Sequence, residues 1–194
     1  QTMRQLLGNA GPDKAQIHSA LDVLRCLHQS GVRPVELKVF DPFRLSDRRL
    51  KQPWFLFLSP QLQTDALTLR SRLDGVPSSG SGLVIIHGDF HAGQLILEMT
   101  SQKWWLIDLD DVALGHKEAD VANFCVNIAT HDDLSAEAID LQLNEMFAAC
   151  ESGYGSKIEF NLLRYYAACA LLRRALKFAE RSESDNRIGA ILRA

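Results

Sequence analysis

In the last third of the chain, apolar residues return every three or four positions. Ile158, Leu162, Tyr165, Tyr166, Cys169, Leu172 and Leu176 share one face of a helix that the spacing predicts over 157–182. "SKIE" at its start reads as a capping box of Ser156 and Glu159. The same kind of spacing predicts helices over 118–130 and 135–152. All six prolines lie in the first 77 residues, which leaves the second half free to form long helices. Upstream, Ile17, Ala20, Leu21 and Leu24 give 13–30 a helical face, with Gly31 as a stop. Residues 32–58 read as irregular or strand-like, and "WFLFL" at 54–58 is strand-sized. "SPQL" at 59–62 places a Ser cap before Pro at the first helical position, opening a helix that ends near Gly75. "VPSSGSG" at 76–82 reads as a loop. Short strands are expected at 83–86, 95–98 and 103–109. The pattern predicts an α+β fold, mainly helical, with a small central strand-and-loop patch.

Composition narrows the classes. With 194 residues and 46% hydrophobic content, the chain can build one core of ordinary domain size. A net charge of −3, from 21 basic and 24 acidic side chains, gives no reason to expect a nucleic-acid partner. No apolar run approaches the ~20 residues needed to span a membrane, and the N-terminus lacks the apolar block of a signal peptide. Cys26, Cys125, Cys150 and Cys169 are scattered among apolar neighbours, which reads as reduced core thiols in a cytoplasmic protein. The chain begins with Gln rather than Met, as a piece of a longer polypeptide would.

The candidate chemistry lies in the central patch. In "IIHGDFHAGQLIL", two glycines bracket a loop between apolar segments, so its side chains can be held rigidly at the edge of a cleft. Asp89 is the carboxylate of that loop and can take a proton from an attacking hydroxyl. Gln94 ends the loop with a neutral oxygen ligand. In "WWLIDLDDVALGHKEADVANF", Asp108, Asp110 and Asp111 are followed by Glu118 and Asp120. Clustered carboxylates repel one another unless they are solvated or share a cation. Oxygen-only ligands favour Mg²⁺, which takes one or two carboxylates plus substrate phosphates. A proton-accepting carboxylate beside such a site is an arrangement for phosphoryl transfer. If the strand continued, Asp110 would point with Asp108 and could touch metal or substrate, and Asp111 could share that role. His87, Asp89 and His91 alternate as H-x-D-x-H, but a transition metal wants a further ligand cluster, and His18, His28, His116 and His131 are scattered. Trp104 and Trp105 take opposite faces of one strand. Arg173, Lys177 and Arg181 form a basic stripe that reads as solvated surface.

"HGDFHAGQ", then "LIDLDD", then "EADVANF" resembles the aminoglycoside phosphotransferase family, whose fold is that of the protein kinases. The resemblance implies that Asp89 is the catalytic aspartate, that Asp108 is the metal-binding aspartate and that Gln94 stands where a metal-binding asparagine is usual. It also implies that His87 buttresses the loop and that Asp120 ties loop to helix. His91, Asp110 and Asp111 remain possible contacts to substrate or metal. "YYAACALLRRALKFA" looks like a helix of the family, so the resemblance runs over about 13–182. Residues 13–194 then form the C-terminal lobe of a kinase-like fold, with 1–12 continuing from a missing N-terminal lobe, since Gly8 and Gly11 cannot replace a glycine-rich phosphate cover.

The function expected is an ATP- and Mg²⁺-dependent transfer of phosphate to a hydroxyl of a small molecule. The acidic cluster after Asp108 leans towards a cationic acceptor. The rival expectations are a catalytically inactive kinase-like module, motivated by Gln94 and the missing lobe, and a metal-dependent hydrolase that uses the H-x-D-x-H pattern.

Overall fold

The computed structural model describes residues 2, 3, 5, 14–31, 36–77, 82–101 and 103–194. The boundary expected at residue 12 lies outside them, as does most of the loop expected at 76–82. Among the described residues are seven α-helices: α1 (Lys14–His28), α2 (Arg44–Leu50), α3 (Pro60–Arg72), α4 (Lys117–Ala129), α5 (Ala136–Gly153), α6 (Phe160–Glu180) and α7 (Asp185–Arg193). Four short strands, β1 (Val84–Ile86), β2 (Leu95–Glu98), β3 (Lys103–Leu106) and β4 (Ala113–Gly115), make two separate antiparallel pairs. β1 pairs with β4, Ile85 opposite Leu114, and β2 pairs with β3, Ile96 opposite Trp105. No helix among the described residues is long and apolar enough to cross a membrane.

The helical periodicity of the last third is real packing. All seven apolar residues of the stripe from Ile158 to Leu176 are buried. α6 lies against α4 on one side and α7 on another, and one contiguous core gathers residues from α1, α4, α5, α6 and α7. Trp104 packs onto this core while Trp105 is 57% exposed, as alternation along β3 requires.

Several expectations are corrected. The apolar run at 54–58 is no strand: Pro53–Phe57 is a 3₁₀ helix opened by its proline, with Phe55 buried and Phe57 exposed. Residues 44–50 form α2, and α7 and β4 add elements where the apolar pattern is too short to speak. Ser156 does not cap α6. That helix starts at Phe160, and the Glu159 N–H donates to Oε1 of the buried Glu118 at 3.0 Å. Glu118 is thereby withdrawn from the acidic cluster to serve a helix start. Cys26 is exposed, against the expectation of a core thiol; Cys125, Cys150 and Cys169 are buried.

Candidate active site

β1 delivers the loop 87–91 to the first turn of α4, and Asp120 in that turn receives it. Its carboxylate accepts the His87 N–H at 2.7 Å and the Gly88 N–H at 2.9 Å. The remaining contact, His28 Nε2 from α1 at 3.0 Å, is made in near-total burial. Nδ1 of His28 bonds the Tyr154 hydroxyl. Burial first, then the charges of Glu118 and Asp120, push that hydroxyl well above the ordinary phenol range, so it stays protonated. A carboxylate in the first turn also meets the positive end of the helix dipole.

His87 joins the two motif segments. Its Nε2 bonds the Ile107 carbonyl at 2.9 Å, and its Nδ1 accepts the Asp89 N–H at 3.4 Å. The second tie comes from Gln94. The Ile107 N–H donates to the Gln94 carbonyl at 3.0 Å, and Gln94 Nε2 donates to Asp108 Oδ2 at 2.7 Å. Both ties end at Ile107 or its neighbour Asp108. Gly88 sits at φ +82, and a Cβ there would lie 2.3 Å from the Asp111 carbonyl oxygen. Only glycine lets the two segments close to this distance.

The third expected strand stops at Leu106, three residues early, because Asp108 turns into the left-handed region at φ 61, ψ 62. Aspartate tolerates that region better than most residues. As a result Asp110 does not continue in line with Asp108; it lies with Asp111 in a 3₁₀ turn, Leu109–Asp111. Asp111 is bonded to Arg44 at 2.5 Å, so its charge is already compensated. That removes half the ground for expecting a cationic acceptor.

Asp89 is half-buried. Asn123 Nδ2 approaches its Oδ1 at 3.3 Å while also donating to the Phe90 carbonyl at 2.8 Å. Arg173 of α6 reaches the same oxygen at 3.4 Å and bonds Asn123 Oδ1. His91 accepts the Gly93 N–H on Nδ1 at 3.0 Å and turns Nε2 towards Asp89 at 4.0 Å. The three residues of the H-x-D-x-H pattern therefore do not converge: the His87 ring is committed to backbone. Among the described residues no three His, Cys, Asp or Glu side chains are placed to share a metal.

Asn123 and Arg173 are the residues the sequence reading missed. Asn123 carries a signal, one helical turn past Asp120 and so on the same face. The basic stripe predicts solvated surface at Arg173, but its side chain is only 15% exposed; Arg181 is exposed as expected. Two cavities flank Asp89's loop. One of about 430 Å³ is lined by Lys38, Asp41, Arg44, Gly88, Asp111 and Arg173, among others. The other, about 60 Å³, is lined by Asp89 itself with Arg49, His91, Asn123, Arg173 and Lys177. Asp110 lines the larger cavity and Asp108 neither.

Residues 5–157 match the model of the phosphotransferase enzyme family. The chain belongs to this family. No curated protein matches it with significance. Among solved structures, a complex of LicA with AMP shares 15% identity at a TM-score of 0.59, covering 93% of this phosphotransferase-family chain and 60% of that one. Choline kinase LicA from Streptococcus pneumoniae shares 14% identity at 0.56, covering 93% and 61%. The aminoglycoside phosphotransferase APH(3'')-Id from Streptomyces rimosus, in complex with ADP and streptomycin, shares 18% at 0.52, covering 81% and 61%. The fold in common is protein-kinase-like, and this chain has its mainly helical α+β part, as a C-terminal lobe would. The chain spans about 60% of the length of these structures. Residues 165–179, expected to be a family helix, lie beyond the family match but within α6.

Proposed function

We propose that this chain is the larger lobe, residues 13–194, of a cytoplasmic kinase that transfers the terminal phosphate of ATP to a hydroxyl of a small molecule, with residues 1–12 leading in from the small lobe. Asp89 accepts the hydroxyl proton as the new O–P bond forms; the bond to the ADP oxygen breaks and ADP leaves with its electron pair. Asn123 and Arg173 fix the carboxylate so that one oxygen is held and the other faces the hydroxyl. His87 keeps the backbone of Asp89 in register with that of Ile107, and Asp120 anchors both through the loop.

The donor set fits Mg²⁺. Asp108 is exposed, with room for waters and phosphate oxygens, and Gln94 reaches the same point at 2.7 Å. A half-turn of the amide presents Gln94 Oε1 in place of Nε2. When bound there, the ion would neutralise phosphate oxygens during transfer. The reading rests most on the double tie of His87 and Gln94 to 107–108, which holds a proton acceptor and a hard-cation ligand on one rigid frame.

The test is Asp89→Asn in the full-length polypeptide. Turnover should fall ~10²–10⁴-fold, the loss typical of a removed general base, while the KM for ATP and the fold are unchanged. Unaltered turnover would end this assignment. The direct Gln94–Asp108 contact favours a second reading, a binding module in which these two groups satisfy each other. Calorimetry with Mg·ATP separates the two, since the module predicts no heat.

A further inference from the structure

The 60 Å³ cavity beside Asp89 has an unusual lining. α6 turns Arg173, Arg174 and Lys177 towards it, and Arg49 at the end of α2 closes it, so four cations surround one carboxylate. Two of the four are engaged. Arg173 holds Asn123 and Asp89, and Arg174 donates to Thr130 Oγ1 at 3.0 Å and lies over the Phe178 ring.

The other two are incompletely satisfied. Arg49 donates Nε to Glu180 at 3.0 Å, but its Nη1 is buried without a hydrogen-bond partner. Lys177 is half-buried, and no hydrogen bond or ion pair to it is found among the described residues. Its ammonium sits well enough inside to lower its pKa, by burial first, with Asp89 opposing and the like charges of Arg181, Arg174 and Arg49 adding to the effect. A buried donor without an acceptor, such as Arg49 Nη1, is unfavourable and calls for an explanation, of which a bound ion is one.

A cavity of this size has room for one small charged group, about two water volumes. The neighbouring 430 Å³ cavity is large enough for the rest of a small molecule, and Arg173 lines both. Neither Asp108 nor Gln94 borders the small cavity, so a metal-bound nucleotide phosphate belongs elsewhere.

We propose that the acceptor is an anionic hydroxyl compound whose carboxylate or phosphate group sits between the Lys177 ammonium and the Arg49 guanidinium, presenting its hydroxyl to Asp89. This rests on the phosphotransferase reading and names its substrate class. It replaces the cationic acceptor that the Asp110–Asp111 pair first suggested.

The experiment titrates the full-length polypeptide calorimetrically with gluconate, glucose, glucosamine and inorganic phosphate. Gluconate should bind at least tenfold more tightly than glucose or glucosamine, and inorganic phosphate should compete with it. Lys177→Gln and, separately, Arg49→Gln should each weaken gluconate at least tenfold, whereas Arg164→Gln, on the exposed far end of α6, should not. Equal affinity for glucose, no binding by any probe, or unaltered gluconate affinity in both recess variants overturns the proposal. ATP and ADP should leave gluconate affinity unchanged; competition by ATP but not ADP would give the recess to the terminal phosphate and overturn it equally. Gluconate binding without phosphate transfer would uphold the anion site and sink the kinase reading. Transfer to neutral alcohols with no gluconate preference would do the reverse.

Discussion

Replacing Asp120 with alanine tests the scaffold of the site more severely than any change at Asp89. The carboxylate is about 1% exposed and accepts bonds from the His87 and Gly88 N–H groups and from His28. Removing it strands two buried backbone donors and an imidazole with nothing to accept them. Hydrogen bonds to a charged group are worth ~1.5–3 kcal/mol each, but they share one carboxylate and do not add. Stranding three buried donors, at ~1–3 kcal/mol each and less than additive, gives ~3–5 kcal/mol for the group. For a chain of this size each kcal/mol moves the midpoint by ~2–4 °C, which gives a fall of roughly 6–20 °C. Asp120→Asn keeps one acceptor oxygen but turns an NH₂ towards a donor, so it should fall between wild type and alanine. Thermal unfolding followed by circular dichroism reads both variants. A fall of less than ~2 °C for Asp120→Ala would mean that the loop is held by something else, and the account of the site would fail.

Gly88→Ala places a Cβ 2.3 Å from the Asp111 carbonyl at φ +82; backbone strain and overpacking together should remove ~2–5 kcal/mol, and a midpoint equal to wild type would refute the close approach. Arg70 holds the Asp47 carboxyl below its ordinary value, chiefly through their hydrogen bond. That contribution is complete above the unfolded-state pKa of about 4 and disappears as pH falls through the lower folded value. Acid titration of stability should therefore be shallower below pH ~4 in Asp47→Asn than in wild type, and superimposable curves would contradict the pairing. Lys177→Met should raise stability by about 0.5 kcal/mol, discounted for its partial exposure, as urea midpoints will show; a loss of stability would mean the ammonium has a partner.

Local features of the chain are legible in its sequence. The periodic stripe of α6 and the two glycine- and aspartate-bearing segments follow from spacing alone, because helical facing and loop chemistry are set by neighbours in sequence. The same logic misled where a short apolar run has no period of its own. "WFLFL" can be strand or turn, and Pro53 at its start decides for a 3₁₀ helix. Asp108 ended β3 early through a backbone angle that no side-chain pattern announces. Arg44, Asn123 and Arg173 reach the site from separate elements, Arg173 from 84 positions beyond Asp89 in sequence, and only the packed fold shows which face of α6 looks inward. Ser156 does not serve as a cap because Glu118, 41 positions before Glu159, supplies the acceptor to the Glu159 N–H instead.

The missing side chain at Gly88 also has a mechanical meaning. With the loop backbone lodged directly against the Asp111 carbonyl, the proton-accepting segment and the turn that carries the acidic residues move as a single piece. Neither can yield to an incoming molecule without dragging the other. Accommodation of differently shaped acceptors therefore falls on the opposite wall, residues 36–45, which is joined to this block by the Phe40–Leu114 and Lys38–Leu114 backbone bonds and the Arg44–Asp111 pair. Tolerance for new substrates should be sought by altering that wall, leaving the rigid half untouched.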